Sequence, residues 1–392
     1  MAVMGVFEPG RNDPPDRPRV LLVTRNFPPL WGGMERLNWH IADELTHAYE
    51  VTVIGPAGAA AQAPANVTVI EVPLRPLWRF LLLATWRALR AARRSRPAVV
   101  LAGSGLTAPM AWLAARLGGA RCIAYVHGLD VIATHPIYRL GWRPFLRRMD
   151  RIIANSRHTA GLARSAGVAP AHIGIVHPGV ALPVLDPQAR ARFRTRHGLG
   201  EAPLLLSVGR LTARKGLAEF VADVLPRVVA AYPEVRLVVI GDEPADALHG
   251  GSTGAAARVQ AAAVAAGVQD RLRFLGSATD AELSEAYQAA DVLVFPVLDL
   301  PGDVEGFGMV AVEAAAHGLP TVAYATGGVV DAVAEDESGT LISPGDAEGF
   351  AAAVLRLLAQ PLPAERVRAF AERFAWPRFG AALAAQVERL PR

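Results

Sequence analysis

The sequence predicts an α/β protein made of two doubly wound, Rossmann-like domains that face each other across a central cleft. Three observations predict it. Short runs rich in β-branched residues alternate with helix-period segments along nearly the whole chain. That alternation is interrupted around Pro178, Pro183 and Pro187 and then starts again. The 392 residues, 52% of them hydrophobic, are enough for two cores of ordinary domain size.

In order, strands are expected in the first half at Arg19–Thr24, Val51–Ile54, Val67–Val72, Val99–Ala102, Cys122–Val126, Ile152–Ala154 and Ile173–His177. Helices are expected between them at Glu35–Thr46, Trp78–Arg94, Pro109–Leu117 and Thr159–Ala166. The second half repeats the scheme with strands at Leu204–Val208, Leu237–Ile240, Leu272–Leu275, Val292–Phe295, Thr321–Tyr324 and Thr340–Ile342. Its helices fall at Gly216–Ala231, Ala255–Ala266, Ala281–Ala289, Val310–His317 and Ala347–Leu358. Trp376-Pro377-Arg378-Phe379 then opens a separate Ala-rich helix. The expected division is a loose leader over 1–17, an N-terminal domain over 18–182, a C-terminal domain over 183–376, and a closing segment over 377–392 that returns to the N-terminal domain. Ligands of open α/β sheets bind outside the carboxyl ends of the strands, so functional residues belong on strand-to-helix turns.

Composition excludes several classes. The start of the chain is polar and proline-rich, without the apolar stretch of a secretory signal. Ala98–Ala115 carries no charge, but Gly103, Gly105 and Pro109 break it below the ~20 residues of a membrane-spanning helix. Cys122 is the only cysteine, so no internal disulfide forms; it sits in an apolar run and reads as a buried, inert thiol in a reducing compartment.

The net charge of +4 conceals an asymmetry, because Val72–Leu129 contains no Asp or Glu. Arginines from Arg75 to Arg96 interleave there with Trp78, Phe80, Leu81, Leu82 and Trp86. Nucleic acid, an anionic membrane surface and an acidic acceptor are the candidate partners of such a stretch. Basic residues with Trp and Leu on one helix fit an interfacial segment; a solvated helix packing its apolar side on the domain is the competing reading.

Four turns could carry chemistry. Asn26–Glu35 follows the first strand; its Gly32-Gly33 pair lets backbone approach a ligand at a helix start, but it is no G-x-G-x-x-G fingerprint. His127 caps an apolar strand, without partners at zinc-ligand spacing. Arg210 and Lys215 follow the strand Leu204–Val208, and Lys215 is the only lysine; cations there suit a phosphate. In Asp303–Pro320, Glu305 lies on a Gly-rich loop and Glu313 within the helix that follows. N–H groups around Gly308–Val310 would hold a phosphate, and Glu313, among Ala and Val, requires a partner such as a hydroxyl-rich ligand. No Asp-x-Asp pair follows a strand, so no metal is expected and cations must neutralise the charge.

On these residues the chain resembles a family 4 glycosyltransferase of the GT-B fold. The resemblance rests on Phe27-Pro28-Pro29 with Gly32-Gly33, His127-Gly128, Ala154-Asn155-Ser156, Val176–Val180, Gly209-Arg210 with Arg214-Lys215-Gly216, Gly241-Asp242, Phe274-Leu275-Gly276, Glu305 with Glu313, and Gly327-Gly328. The Gly302–Pro320 section is most similar to phosphatidylinositol mannosyltransferases. The resemblance implies a metal-independent, retaining transfer of a hexose, mannose as first guess, from a nucleotide diphosphate sugar to an acceptor hydroxyl, lipid-linked or in cell-surface glycan synthesis, without a cofactor.

By the same resemblance, Arg210 and Lys215 hold the diphosphate, and Glu305 with Gly306, Phe307 and Gly308 grips the sugar. Met309 and Val310 add backbone, Glu313 holds the ribose, and Gly241, Phe274, Leu275 and Gly276 surround the base. His127 and Gly32-Gly33 contribute from the N-terminal domain. His127, Glu305, Arg210 and Lys215 form the implied catalytic set. GDP-mannose is the first donor expected and a UDP-hexose the second. The site of action is cytoplasmic, at the inner face of the membrane if the basic stretch meets lipid. Glu243, where many members carry Gly, departs from the pattern. An epimerase or phosphorylase on the same fold, and a silent nucleotide-sugar-binding subunit, are the alternatives; a nucleic-acid partner leaves the phosphate turns unexplained.

Overall fold

The computed structural model describes residues 17–133, 135–243 and 254–389. Residues 1–16 of the expected leader, Pro244 in the Glu243 turn, and residues 390–392 lie outside the described residues.

The first sheet contains β1 (Arg19–Val23), β2 (Glu50–Pro56), β3 (Val67–Val72), β4 (Val99–Ala102), β5 (Arg121–Val126), β6 (Arg151–Ala154) and β7 (Ile173–Ile175). They pair in parallel in the order β3-β2-β1-β4-β5-β6-β7. The second contains β8 (Leu204–Val208), β9 (Arg236–Ile240), β10 (Leu272–Gly276), β11 (Val292–Phe295), β12 (Thr321–Tyr324) and β13 (Gly339–Ile342), parallel in the order β10-β9-β8-β11-β12-β13. Strand order therefore reverses between β1 and β4 and again between β8 and β11, and a crevice opens beyond the carboxyl ends at each reversal.

The sequence of β1 shows why both faces are covered. Leu21 and Val23 point to one core, where the helix Leu77–Ser95 brings Phe80, Ala84, Ala88 and Ala92. Val20 and Leu22 point to the other, against Leu37, Ile41 and Leu45 of the helix Gly33–Leu45. In β8, Leu204 and Leu206 enter one core and Leu205 the other. A strand buried on both faces reads as an unbroken apolar run.

The chain crosses between the domains twice, and the crossings touch. Val180 N–H donates to Phe374 O at 2.7 Å, and Val180 bridges Ala375. Trp376 covers Gly179 and stacks on His40 with ring centroids 3.6 Å apart. Burial, aided by Arg36, pulls the His40 imidazole down to about 4, so it packs as a neutral ring at pH 7. The helix Trp376–Glu388 then places Phe379, Leu383 and Val387 in the core of the first domain.

The expected helix Gly216–Ala231 is interrupted: Leu217–Glu219 and Leu225–Ala231 flank a π turn at Phe220–Val224. Pro226 has no N–H and excludes the regular helical register there, which accounts for the wider turn. Short helices at Pro136–Gly141, Arg143–Leu146, Ala189–Arg196 and Ala364–Ala371 lie in stretches left unassigned from sequence. Cys122 is buried with its thiol 3.0 Å from Met149 Sδ, and burial pushes the thiol well above its ordinary range.

Helix Leu77–Ser95 has two unlike faces. Its inner face packs on the core, while Trp78, Leu82 and Trp86, four residues apart, stand exposed on the other side. Arg87 and Arg90 lie over the Trp86 ring at 5.3 and 5.8 Å. Among the described residues no helix is long and apolar enough to cross a membrane.

Candidate functional site

The turn after β8 carries the lysine inward. Lys215 Nζ donates to Glu305 Oε2 at 2.8 Å and lies 4.7 Å from the centre of the Phe295 ring. Arg214 donates to the same carboxylate oxygen and pairs with Asp303 at 2.9 Å. Burial alone would raise the Glu305 carboxyl, but the Lys215 and Arg214 charges outweigh it and hold the group at about 2. Burial lowers Lys215, and Glu305 opposes that shift. Arg210 is exposed; with Gly209 and Lys215 it lines a pocket whose other wall includes Arg258.

The neighbouring strand ends are tied to this turn. Gly241 N–H donates to Gly276 O at 2.8 Å, and Gly209 N–H donates to Ile240 O at 2.9 Å. Gly241 has φ +133°, and a Cβ there would lie 2.1 Å from Gly209 O, so only glycine fits. Gly241 and Asp242 thus stand between Gly276 and the Arg210–Lys215 turn, with Leu211 N–H donating to Asp242 O at 3.0 Å. Glu243 accepts from Gly254 N–H at 3.0 Å and Ala256 N–H at 2.8 Å, bonds that lower its pKa. The carboxylate thus caps the helix Ala255–Ala265.

The Glu305–Gly308 loop is held from two sides. Gly328 N–H donates to Glu305 O at 2.8 Å, and a Cβ on Gly328 would lie 2.0 Å from Gly306 O. A Cβ on Gly306 would lie 2.1 Å from His127 O, so the two domains meet at this glycine. Phe307 is buried with its ring 5.4 Å from that of His177. Beyond Gly308 the helix Met309–Ala316 begins with Met309, whose sulfur would sit 3.4 Å from a Cβ on Gly33. Two helix N-termini, one from each domain, thus converge at the cleft, with Val310 in the first turn of one of them.

In the N-terminal half, Asp130 accepts from the N–H groups of His127, Gly128 and Gly105 at 2.8, 3.0 and 2.8 Å, which fixes the turn. His127 Nε2 lies 2.9 Å from Gly103 O. A carbonyl only accepts, so Nε2 carries the hydrogen and Nδ1 is the ring's remaining acceptor. Gly32 packs on Glu35, whose carboxylate accepts from Asn26 Nδ2 at 2.7 Å.

Glu313 already has protein partners, where a hydroxyl-rich ligand was expected from sequence. Arg36 Nη1 of the first domain donates to its Oε1 at 2.7 Å, and the Tyr287 hydroxyl donates to its Oε2 at 3.1 Å. A second cross-domain contact joins Arg157 to Asp331: the Arg157 N–H donates to Asp331 Oδ2 at 2.6 Å and its guanidinium to Oδ1.

The structure therefore gathers Lys215, Glu305, the Gly306–Val310 backbone, His127 and Gly33 at the cleft. Arg214, Arg36 and Asp331 have structural roles there that sequence reading left unassigned. Arg214 was visible as a second cation beside Lys215. Arg36 and Glu313 stand 277 positions apart, and no local pattern joins them.

Comparison with known proteins agrees with this geometry. Residues 31–182 match the description Glycosyltransferase Family 4, and residues 189–374 match Glycosyl transferases group 1. The chain is 30% identical over 362 residues to a GDP-mannose-dependent alpha-(1-6)-phosphatidylinositol monomannoside mannosyltransferase of Mycobacterium tuberculosis, covering 87% of this chain and 89% of that one. It belongs to the family 4, group 1 glycosyltransferases. A D-inositol 3-phosphate glycosyltransferase of Mycobacterium marinum is 35% identical to this glycosyltransferase over 262 residues, 65% of the chain and 53% of the relative. Among solved structures, Anabaena HepE in complex with UDP superposes with a TM-score of 0.78 at 18% identity, covering 95% of this chain and 100% of that one. Sucrose-phosphate synthase from Thermosynechococcus elongatus gives 0.75 at 21% identity, with 95% and 99% coverage. These neighbours share the GT-B fold, two Rossmann-like domains about a cleft. The epimerase, phosphorylase and silent-subunit readings are not favoured.

Proposed function

We propose that this glycosyltransferase moves mannose from GDP-mannose to an acceptor hydroxyl with retention of configuration, and without a metal or other cofactor. The observation that carries the reading is the Lys215–Glu305–Arg214 cluster, set beside the amide end of the helix Met309–Ala316 where strand order reverses. Such a place offers a diphosphate fixed positive charge that needs no reorganisation during reaction. The resemblance to the mycobacterial mannosyltransferase supports GDP-mannose as donor, and a UDP-hexose is the second candidate.

In this reading Arg210, Lys215 and the N–H groups of Gly308–Val310 bind the diphosphate. The bond from the sugar C1 to the β-phosphate oxygen breaks, and its electron pair stays on that oxygen, where the cations oppose the charge. The acceptor oxygen bonds to C1 from the same face, and its proton passes to the departing phosphate. Glu305 holds sugar hydroxyls and keeps the cations in place. His127 Nδ1 accepts from a sugar hydroxyl, Glu313 accepts from the ribose, and the Phe274–Gly276 backbone reads the base. Closure of the domains, with 18–182 as acceptor side and 183–376 as donor side, keeps water from the transfer. Among the described residues no three His, Cys, Asp or Glu side chains gather as a metal site.

The acceptor is taken to be lipid-linked, with the protein acting in the cytoplasm at the inner membrane face. The exposed Trp78–Leu82–Trp86 stripe among arginines supports that placement. Thermal-shift measurements with GDP-mannose, GDP-glucose, UDP-glucose and UDP-galactose test the donor, and proton NMR of the product's anomeric signal tests retention. GDP-mannose should raise the melting temperature most. No shift with any of the four, or an inverted product, would refute the reading.

A further inference from the structure

One contact spans the cleft mouth without belonging to either sheet. The helix Gly33–Leu45 starts at the cleft, and Arg36 is in its first turn. The Arg36 guanidinium reaches out of the first domain to two carboxylates of the second: Glu313 Oε1 at 2.7 Å and Asp280 Oδ1 at 3.4 Å. Glu313 is 15% exposed and Arg36 is 42% exposed, so the pair sits at a half-wet rim. The other Glu313 oxygen accepts from the Tyr287 hydroxyl, and Tyr287 is a fully buried, fixed side chain. The carboxylate is therefore gripped at both oxygens, once by its own domain and once by the opposite one. Each oxygen has two lone pairs, so one acceptor position on each stays available for a hydroxyl.

We propose that Arg36 is a positioning residue for the donor: it fixes the Glu313 carboxylate in its nucleotide-binding orientation and couples that orientation to closure of the N-terminal domain. This rests on the reading of Glu313 as the ribose-binding carboxylate. A carboxylate held only by Tyr287 would rotate about its last torsions, and ribose binding would have to fix it. Held by Arg36 as well, it is preset, and the ordering cost on binding falls.

Calorimetric titration with GDP and UDP tests this on the full chain, using Arg36→Met, Arg36→Lys, Glu313→Gln and the Arg36→Met/Glu313→Gln double variant. Arg36→Met retains the apolar stem and should weaken the preferred nucleotide about fivefold, the change expected for a half-exposed ion pair. Arg36→Lys should recover most of that loss. In the Glu313→Gln background Arg36→Met should add nothing, and 0.5 M NaCl should narrow the gap between wild type and Arg36→Met. A neutral Arg36→Met, or a loss that adds in full to that of Glu313→Gln, overturns the proposal. If Glu313→Gln leaves nucleotide affinity unchanged, the ribose reading itself fails. The cross-cleft pair is then judged by small-angle X-ray scattering of the unliganded protein. Both single variants and the double should show one common increase in radius of gyration; an unchanged radius overturns the coupling as well.

Discussion

At Glu305 two opposing effects meet. Burial disfavours the charged carboxylate, and two cations within hydrogen-bond reach favour it; the cations win and hold the group at about 2. Its folded value lies below its unfolded one, so Glu305 stabilises the fold above about pH 4.5 and loses that contribution as pH falls towards about 2. Glu305→Gln should destabilise the protein by about 3 kcal/mol at pH 7, because it leaves two buried cations short of a partner. Urea unfolding from pH 7 to pH 3 should show that gap closing below about pH 4.5; a gap independent of pH would mean that the pairing does not control the carboxyl. Lys215 faces the leaving group in the proposed reaction. Lys215→Ala should lower kcat by about 10²–10³-fold, as for other lost transition-state stabilisers, while circular dichroism retains the native spectrum. Near-normal turnover would displace the leaving-group site from this turn.

At the scale of elements, the central strands were legible because they are buried on both faces. Val99–Ala102 and Val292–Phe295 are uninterrupted apolar runs between turn residues, Leu204–Val208 and Thr321–Tyr324 each carry a single Ser or Thr among apolar residues, and all four form as expected. The short helices were not legible: Pro136–Gly141 and Arg143–Leu146 are too short to show a period, and Ala189–Arg196 is largely Arg. The site loops gave a partial signal. Glycines marked the loop around Glu305, but only the folded chain shows Gly306 pressed between Gly328 and His127. Gly306→Ala should therefore hold the cleft open, reducing kcat/KM at least tenfold while nucleotide affinity changes less; steady-state kinetics beside calorimetry separates the two. On the helix Leu77–Ser95, replacing Trp78, Leu82 and Trp86 with Ser removes exposed side chains and leaves the inner face intact. Flotation with vesicles of anionic lipid should be lost, and turnover of a water-soluble acceptor should persist. Retained flotation would move the membrane contact elsewhere.

Across the whole molecule, the Arg36–Glu313 and Arg157–Asp331 contacts between the domains differ in burial and so in what they control. Sequence gave no notice of either, since each joins residues far apart in the chain, Arg36 to Glu313 and Arg157 to Asp331. The Arg36 pair is at the wet rim and is screened by solvent. The Asp331 carboxylate is 1% exposed, accepts both the Arg157 N–H and its guanidinium, and lies 3.9 Å from His177 Nδ1. It therefore caps the first turn of the helix Arg157–Ser165 from the opposite domain, close to where Val180 meets Phe374. Asp331→Ala deprives the part-buried Arg157 N–H of a charged acceptor, a loss of about 1–3 kcal/mol, and it does so where the two domains meet. Differential scanning calorimetry should show one transition for the wild type, and two for Asp331→Ala as the domains uncouple. The first of these should be lower by about 2–4 °C for each kcal/mol lost. Asp331→Asn retains an acceptor oxygen for the N–H and should fall between the two. A single transition at the wild-type temperature in Asp331→Ala would mean that the packing of Trp376 against Gly179 and His40 joins the domains by itself.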